Sequence, residues 1–284
     1  MSRVSVVIPA YNNADFLAET VESVLAQDFD DFELIISDHS SQDDTWAVMQ
    51  QFASDPRVTL MQIPSGGGAR ANWQAVTDAA GGELLKLVCG DDILYPGVLR
   101  QQVEAFDAHP EAVLVASSRD ILDAAGSPLI RNRGIDSLEG LVDGKQAVRA
   151  SIVAGTNLFG EPACVMVRRE LLHAAGGWDD RNPYLIDQAS YARVLFQGPM
   201  VGIRVAGAGF RVNAGQWSVA LAADQAAQAA GFHAQIAAEH PDLVSERDVS
   251  TGNRRARRAA YMRRLVYIVF ARRLRMPDTS RSAA

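Results

Sequence analysis

Residues 4–12 read Val4-Ser5-Val6-Val7-Ile8-Pro9-Ala10-Tyr11-Asn12. A nearly unbroken apolar run stops at a proline and gives way to a polar tip. Continuity, rather than alternation, predicts a strand buried on both faces, the kind found inside a parallel sheet covered by helices. Working outward, residues 15–27 place Phe16, Leu17, Val21, Val24 and Leu25 on one helical stripe, with Asp15 as a plausible cap. Strands are expected over 32–37, 58–63, 84–88 and 112–116, and helices over 43–52, 72–80 and 96–109. Strands alternating with helices at this spacing imply right-handed crossovers and an α/β fold with a mostly parallel central sheet.

Beyond residue 116 the alternation breaks. Asp123-Ala124-Ala125-Gly126 reads as a hairpin turn and residues 132–143 as a polar loop. A strand is expected over 163–167, a helix over 169–175 ended by Gly176-Gly177, a helix over 187–196 and a strand over 201–205. An Ala-rich helix runs from Ser218 to about His240, and a basic helix over 254–275 follows. The expected organisation is a domain over 1–217, with a nucleotide-binding half (1–116) and a small antiparallel acceptor half (117–217), then a helical C-terminal extension over 218–284.

The chain has 284 residues, 48% apolar and 21% charged, which fits a globular domain and not a disordered chain. Two cysteines, Cys89 and Cys164, exclude a disulfide framework. No signal peptide and no stretch of about 20 apolar residues is visible, so a cytoplasmic protein is expected. The net charge of −7 is uneven. Residues 254–276 hold nine arginines and no acid, while elsewhere 18 basic residues face 34 acidic ones, leaving −16. An acidic body argues against a nucleic-acid partner. The five histidines lack metal-ligand spacing, and Gly66-Gly67-Gly68 lacks the lysine of a phosphate-binding loop.

In an open α/β sheet, ligands bind beyond the carboxyl ends of the strands. Three polar clusters fall there: Pro9-Ala10-Tyr11-Asn12, Ser37-Asp38-His39-Ser40-Ser41, and Gly90-Asp91-Asp92. Two adjacent carboxylates after a buried strand repel one another, and a divalent cation relieves that repulsion. Mg²⁺ or Mn²⁺ typically takes one or two protein carboxylates and completes its shell with substrate phosphate oxygens and water. The competing reading makes Asp91-Asp92 a capping pair before the helix at Pro96.

These stretches, with Glu22-Ser23-Val24-Leu25-Ala26-Gln27, Gln42-Asp43-Asp44-Thr45 and Gly81-Gly82-Glu83, resemble the family 2 inverting nucleotide-sugar glycosyltransferases over about residues 3–215. The resemblance implies a GT-A fold, a nucleotide-diphospho-sugar donor, a hydroxyl-bearing acceptor, and Mn²⁺ or Mg²⁺ held by Asp91 and Asp92. It assigns Pro9, Ala10, Tyr11 and Asn12 to the base and ribose pocket and Asp38 to the nucleobase. On the acceptor side, Asp187 matches the family's catalytic base, with Glu161 as a second candidate; both readings compete with Asp187 as a helix N-cap. Trp178 is either a sugar-stacking platform or a core residue, and Arg211 is placed to neutralise the leaving diphosphate. Departures from the family pattern stand at His39, Cys89, Ile186, Asn213 and Asn72-Trp73-Gln74.

Arg254, Arg255, Arg257, Arg258, Arg263, Arg264, Arg272, Arg273 and Arg275 flank the apolar run Leu265-Val266-Tyr267-Ile268-Val269-Phe270. Such a helix either lies on an anionic membrane surface, as a peripheral contact at the inner membrane face, or packs on the protein with its arginines paired to the acidic body. Two rival functions remain in view: a nucleotidyltransferase, for which no Gly-rich basic loop follows the first strand, and a non-catalytic nucleotide-sugar-binding module.

Overall fold

The computed structural model of the chain describes residues 2–216, 221 and 223–274. Strand β1 (Val4–Ala10) buries all seven residues. Parallel partners flank it on both sides, β2 (Phe32–Asp38) and β4 (Leu84–Leu87), which is why its sequence is apolar on both faces. β3 (Val58–Gln62) extends the sheet past β2 as a half-exposed edge. Helices α1 (Leu17–Leu25), α2 (Thr45–Gln50), α3 (Gly68–Ala79) and α4 (Val98–Ala108) form the crossovers. The chain steps from β1 out to β2 and β3, then returns to place β4 on the other side of β1. That reversal opens a crevice at the carboxyl ends of β1 and β4.

Past β4 the sheet turns mixed. β9 (Val165–Arg168) runs antiparallel between β4 and β6 (Leu114–Leu122). β10 (Met200–Arg211) follows β6 in parallel, with register breaks between Ile203 and Ala208. The two-residue β5 (Ile93–Leu94) pairs with β10 at Gly209 and Ala208. β7 (Pro128–Arg133) forms the expected hairpin with β6, and β8 (Gly140–Val142) pairs with the start of β10. All ten strands belong to one sheet.

Several expectations need correction. α1 is not capped by Asp15; the carbonyl of Asn13 accepts from the amides of Phe16 and Leu17, both at 2.9 Å. The strand expected over 201–205 is twelve residues long. Its glycines weaken the apolar pattern, yet a Cβ at Gly207 would lie 2.4 Å from Ser117 Oγ, so only glycine lets β10 lie this close. The strand expected over 112–116 runs on through Leu122 as β6. Residues 144–154 carry no expected element but form helix α5 (Gly144–Ala154), capped by Asp143 accepting from the amide of Gln146 and ended by Gly155 at φ 67°.

Helices α6 (Arg169–Ala174) and α7 (Ile186–Leu195) lead to α8 (Gln225–Glu239) and the long α9 (Glu246–Val269). α9 begins eight residues before Arg254, where Ser245 and Asp248 form a reciprocal capping box. The expected start of the Ala-rich helix at Ser218, the boundary between 217 and 218, and Arg275 lie outside the described residues. No described helix is long and apolar enough to cross a membrane.

Candidate active site

The turn after β4 is held from two directions. The amide of Asp92 donates to the carbonyl of Cys89 at 3.0 Å, closing the turn. From β10, the amide of Arg211 donates to Asp92 Oδ1 at 3.0 Å and Asn213 Nδ2 donates to Asp91 Oδ2 at 2.8 Å. A Cβ at Gly90 would sit 2.7 Å from Asn13 Oδ1, so any larger residue there would have to displace the Asn13 side chain. Both carboxylates are buried, and Asp92 Oδ2 has no hydrogen-bond partner among the described residues. Burial pushes Asp91 up to about 6, and burial together with the charge of Asp91 pushes Asp92 well above the ordinary carboxylate range. A capping role is ruled out, since the next helix starts six residues later at Val98 behind Gly97.

An orphaned carboxylate oxygen beside a second buried carboxylate is the environment a hard divalent cation relieves. Among the described residues no group of three or more His, Cys, Asp or Glu side chains is arranged to hold an ion. The pair therefore fits a cation whose remaining ligands come from phosphate oxygens and water, and does not fit an all-protein cage.

Arg211 is positioned differently from the expectation of a guanidinium open to the diphosphate. It is buried, and its Nε donates to the carbonyl of Asp91 at 2.8 Å, Nη1 to the carbonyl of Ala124 at 2.8 Å and Nη2 to Glu19 at 2.5 Å. It braces the aspartate turn from behind. Asn213, which stands where a histidine is frequent in the resembling family, is the residue that touches Asp91 directly.

Across the crevice, the loop after β1 makes a nest with the loop after β2. Asn12 sits at φ 51°, a left-handed conformation asparagine tolerates. Its amide donates to Ser41 Oγ and its Oδ1 accepts from the amide of Gln42. Asp38 is buried, with Oδ1 accepting from the amide of Ser41 at 3.1 Å and Oδ2 from Gln62 Nε2 at 3.2 Å; each oxygen keeps acceptor capacity. Pro9 and Ala10 are buried backbone wall, and the Ala10 carbonyl accepts from the His39 amide and from Asn72 Nδ2. Tyr11 is 54% exposed with its ring 6.0 Å from that of His39, so it presents an open aromatic surface at the mouth.

On the opposite side, Asp187 lies one residue inside α7, past the N-cap Leu185, so the N-cap reading fails. Its Oδ2 accepts from Asn157 Nδ2 at 3.1 Å. Burial, reinforced by the charge of Glu161, pushes Asp187 up to about 7. Glu161 is the reverse case. Burial pulls it upward, but the buried Arg119, paired with it through Nε and through Nη2 at 3.0 Å, outweighs burial and leaves it below the usual glutamate range. Burial, with the charges of Asp92, Asp91, Asp187 and Glu161 added to it, pushes the Cys89 thiol up.

Trp178 belongs to the core. It is 1% exposed, meets Trp73 and Tyr191 edge-on at 4.9 and 5.7 Å, and donates from Nε1 to Thr77 Oγ1 at 2.9 Å. No ring face is left for a sugar. Sequence reasoning missed Arg119, which sets the state of Glu161, and Asn157, which holds Asp187 Oδ2. Arg119 follows Ser117-Ser118 and precedes Asp120, a polar run that gives no sign of its complete burial in Leu114–Leu122, and Asn157 carries no mark either.

With this geometry in place, the comparisons with known proteins are specific. Residues 5–175 match the family described as "Glycosyl transferase family 2", and the chain belongs to that family. A Mycobacterium tuberculosis relative named "Uncharacterized protein MT1568" is 29% identical over 199 residues, 68% of this chain and 62% of that one. The chain thus spans less than two thirds of that relative's length. Among solved structures, a mannosyltransferase from Pyrobaculum calidifontis in complex with GDP-Man and Mn²⁺ superposes with TM-score 0.67 at 18% identity, covering 94% of this chain and 75% of that one. TarS 1-349 from S. aureus in complex with UDP-GlcNAc gives 0.66 at 17% identity, over 83% and 66%. At these identities the likeness shows the fold, which is GT-A.

Proposed function

We propose that this glycosyltransferase is an inverting enzyme that moves a hexosyl or related sugar from a nucleotide-diphospho-sugar to a hydroxyl-bearing acceptor, with Mn²⁺ or Mg²⁺ seated on Asp91 and Asp92. It would work in the cytoplasm, where reducing conditions keep Cys89 and Cys164 free. Residues 1–116 form its donor half and 117–217 its acceptor half. The observation that carries the reading is Asp92 Oδ2, buried and unpartnered beside a second buried carboxylate at the crevice.

In this mechanism Pro9, Ala10, Tyr11 and Asn12 wall the base and ribose, with Asp38 reaching the base. The cation, when bound, neutralises charge on the departing diphosphate. Arg211 and Asn213 hold the two aspartates in one geometry through the reaction, so little reorganisation is needed as negative charge develops. Asp187 takes the acceptor hydroxyl proton on Oδ1, its Oδ2 being held by Asn157. The freed oxygen attacks the anomeric carbon, the bond to the diphosphate breaks, and the nucleoside diphosphate leaves. A base near 7 suits that transfer at neutral pH, whereas Glu161, locked to Arg119, is a poor base and serves to hold Asp187's field.

The test is Asp92→Asn. It keeps shape and the Arg211 contact while removing the charge. Mn²⁺-dependent donor hydrolysis and transfer should fall by about a hundredfold or more, with the thermal transition of the metal-free protein intact. Full metal-dependent turnover in this variant would overturn the assignment.

A further inference from the structure

Helix α9 turns its small residues inward and its large ones outward. Gly252, Ala256 and Ala260 are buried against α5 and α8, and a Cβ on Gly252 would lie 2.2 Å from the carbonyl oxygen of Ile152. On the open side Tyr261, Met262, Leu265, Ile268 and Val269 are exposed, the last two at 73% and 71%. At 3.6 residues per turn these five fall within about 120° of the helix circumference, one continuous stripe. Arg254 and Arg258 extend the same stripe toward the helix start.

The arginines divide into two sets. Arg255 donates to the Val153 carbonyl, Arg263 to Gln225 with its guanidinium over the Tyr184 ring, Arg264 to the Ala223 carbonyl, and Arg273 pairs with Asp123. These anchor the helix to the protein. Arg254, Arg257, Arg258 and Arg272 are exposed, and among the described residues no carboxylate pairs with them, although the rest of the chain is strongly acidic. The packing alternative holds for part of the run, since Tyr267 and Phe270 lie half-buried against Ile121, Val212 and Leu274, while the outer stripe and these four arginines stay uncovered among the described residues.

We propose that this face docks on an anionic lipid bilayer surface. An apolar stripe flanked by guanidiniums that no described carboxylate neutralises (Arg257 donates to the Asn253 carbonyl of its own helix) matches the layered chemistry of such a surface, acyl boundary and phosphate headgroup. A second copy of the chain is the poorer match, because a two-fold contact would bring this face against itself and set arginine beside arginine with no acid between. The arginine content of α9 also excludes a spanning segment, although its 24 residues would be long enough.

Docking would orient the crevice. The segment after α9 returns to the site: the Ala214 amide donates to the Leu274 carbonyl at 2.8 Å, one residue from Asn213, and the Ala124 amide donates to the Arg273 carbonyl at 3.1 Å. Tyr184, beneath Arg263, lies three residues before Asp187. With Tyr184 under the inner face of α9 and the stripe on its outer face, a bound bilayer would be separated from the acceptor side by about the 10 Å width of this helix, which fits an acceptor hydroxyl carried on a lipid. That consequence rests on the transferase reading, whereas the docking itself does not.

Vesicle flotation of the full chain tests it without any need for activity. Pure phosphatidylcholine vesicles are compared with vesicles containing phosphatidylglycerol, at low and high salt. The chain should float with the anionic vesicles only, and less so in high salt. Each arginine near such a surface is worth about fivefold in partitioning, so Arg254→Glu/Arg257→Glu/Arg258→Glu should lower binding by about a hundredfold or more. Ile268→Ser/Val269→Ser should also release the protein, through the apolar half of the contact. All five side chains are exposed, and unchanged thermal transitions and circular dichroism would show that both variants stay folded. Failure of the wild type to float, or equal flotation by either folded variant, overturns the proposal. So does a concentration-dependent dimer that the Ile268→Ser/Val269→Ser variant abolishes.

Discussion

Asp187 and Glu161 share one electric field and end in opposite states, because the charge of Arg119 touches both but its guanidinium pairs directly with Glu161 alone. Arg119 pairs with Glu161 and drives it below its ordinary range, and the resulting fixed negative charge adds to burial in raising Asp187 to about 7. The sign then follows for activity. Below pH 7 Asp187 is protonated and cannot accept the acceptor proton, so kcat/KM should rise with pH and level off above about 7. Asp187→Asn should lower kcat by about a hundredfold or more and leave donor affinity unchanged; normal turnover would move the role elsewhere. Stability runs the other way. A carboxylate raised in the folded state binds its proton more tightly there, so stability falls as pH rises from about 4 to about 7. The asparagine variant escapes that loss and should melt higher at pH 8, by roughly 2–4 °C if about 1 kcal/mol is recovered. At this scale the sequence was partly legible. The aspartate pair and Asp187 stood in quotable patterns, whereas Arg119 and Asn157 act through contacts made 42 and 30 residues away. The role expected of Arg211 failed because the same residue type can face a ligand or brace a turn, and only packing against Glu19, Asp91 and Ala124 decides which.

The first four strands expected in the first half fall within two residues of those observed, since strands buried on both faces declare themselves by unbroken apolar runs. By contrast, α3 starts four residues earlier than expected, β5 was not expected and β6 runs on to Leu122. The second half was harder for a physical reason. β10 is threaded with Gly202, Gly207 and Gly209 because neighbouring atoms leave no room for a Cβ, and those glycines erase the periodicity that marks a strand. α5 was overlooked although Asp143 and Gly155 bracket it with ordinary cap and stop signals. The contact between α5 and α9 is backbone on backbone, with Gly155 facing Gly252 and the Ala256 amide. Gly252→Val would push α9 away from α5 and strain the Arg149–Asp248 pair and the His233–Asn253 contact that flank it. Overpacking of this kind typically costs about 1–3 kcal/mol. The variant should melt roughly 2–12 °C lower and should lose amide protection in α9 before the sheet. Unchanged protection of α9 would show that the close approach is not required.

For the whole molecule, one topological fact gathers the chemistry. The reversal of strand order at β1 brings the ends of β1, β2 and β4 to a single crevice, and β10, arriving from the far half, supplies Arg211 and Asn213 to the same spot. The sequence announced the three polar clusters at those ends; that Arg211 also belongs there came from the resemblance alone, and the way β10 reaches the site depends on its parallel pairing with β6. The uneven charge follows the same division. The acidic body holds the crevice, and the basic helix lies along the outside with its anchoring arginines turned inward and the others outward.

The central claim is that Asp91 and Asp92 seat a cation bridging to a diphosphate. Its most direct measurement is anomalous scattering from crystals grown with Mn²⁺ and a nucleoside diphosphate. The account predicts a manganese peak bonded to Asp92 Oδ2, with phosphate oxygens completing the shell and the base against the Tyr11–Asn12 loop. A nucleoside diphosphate bound in that crevice with no metal at the aspartate pair would contradict it.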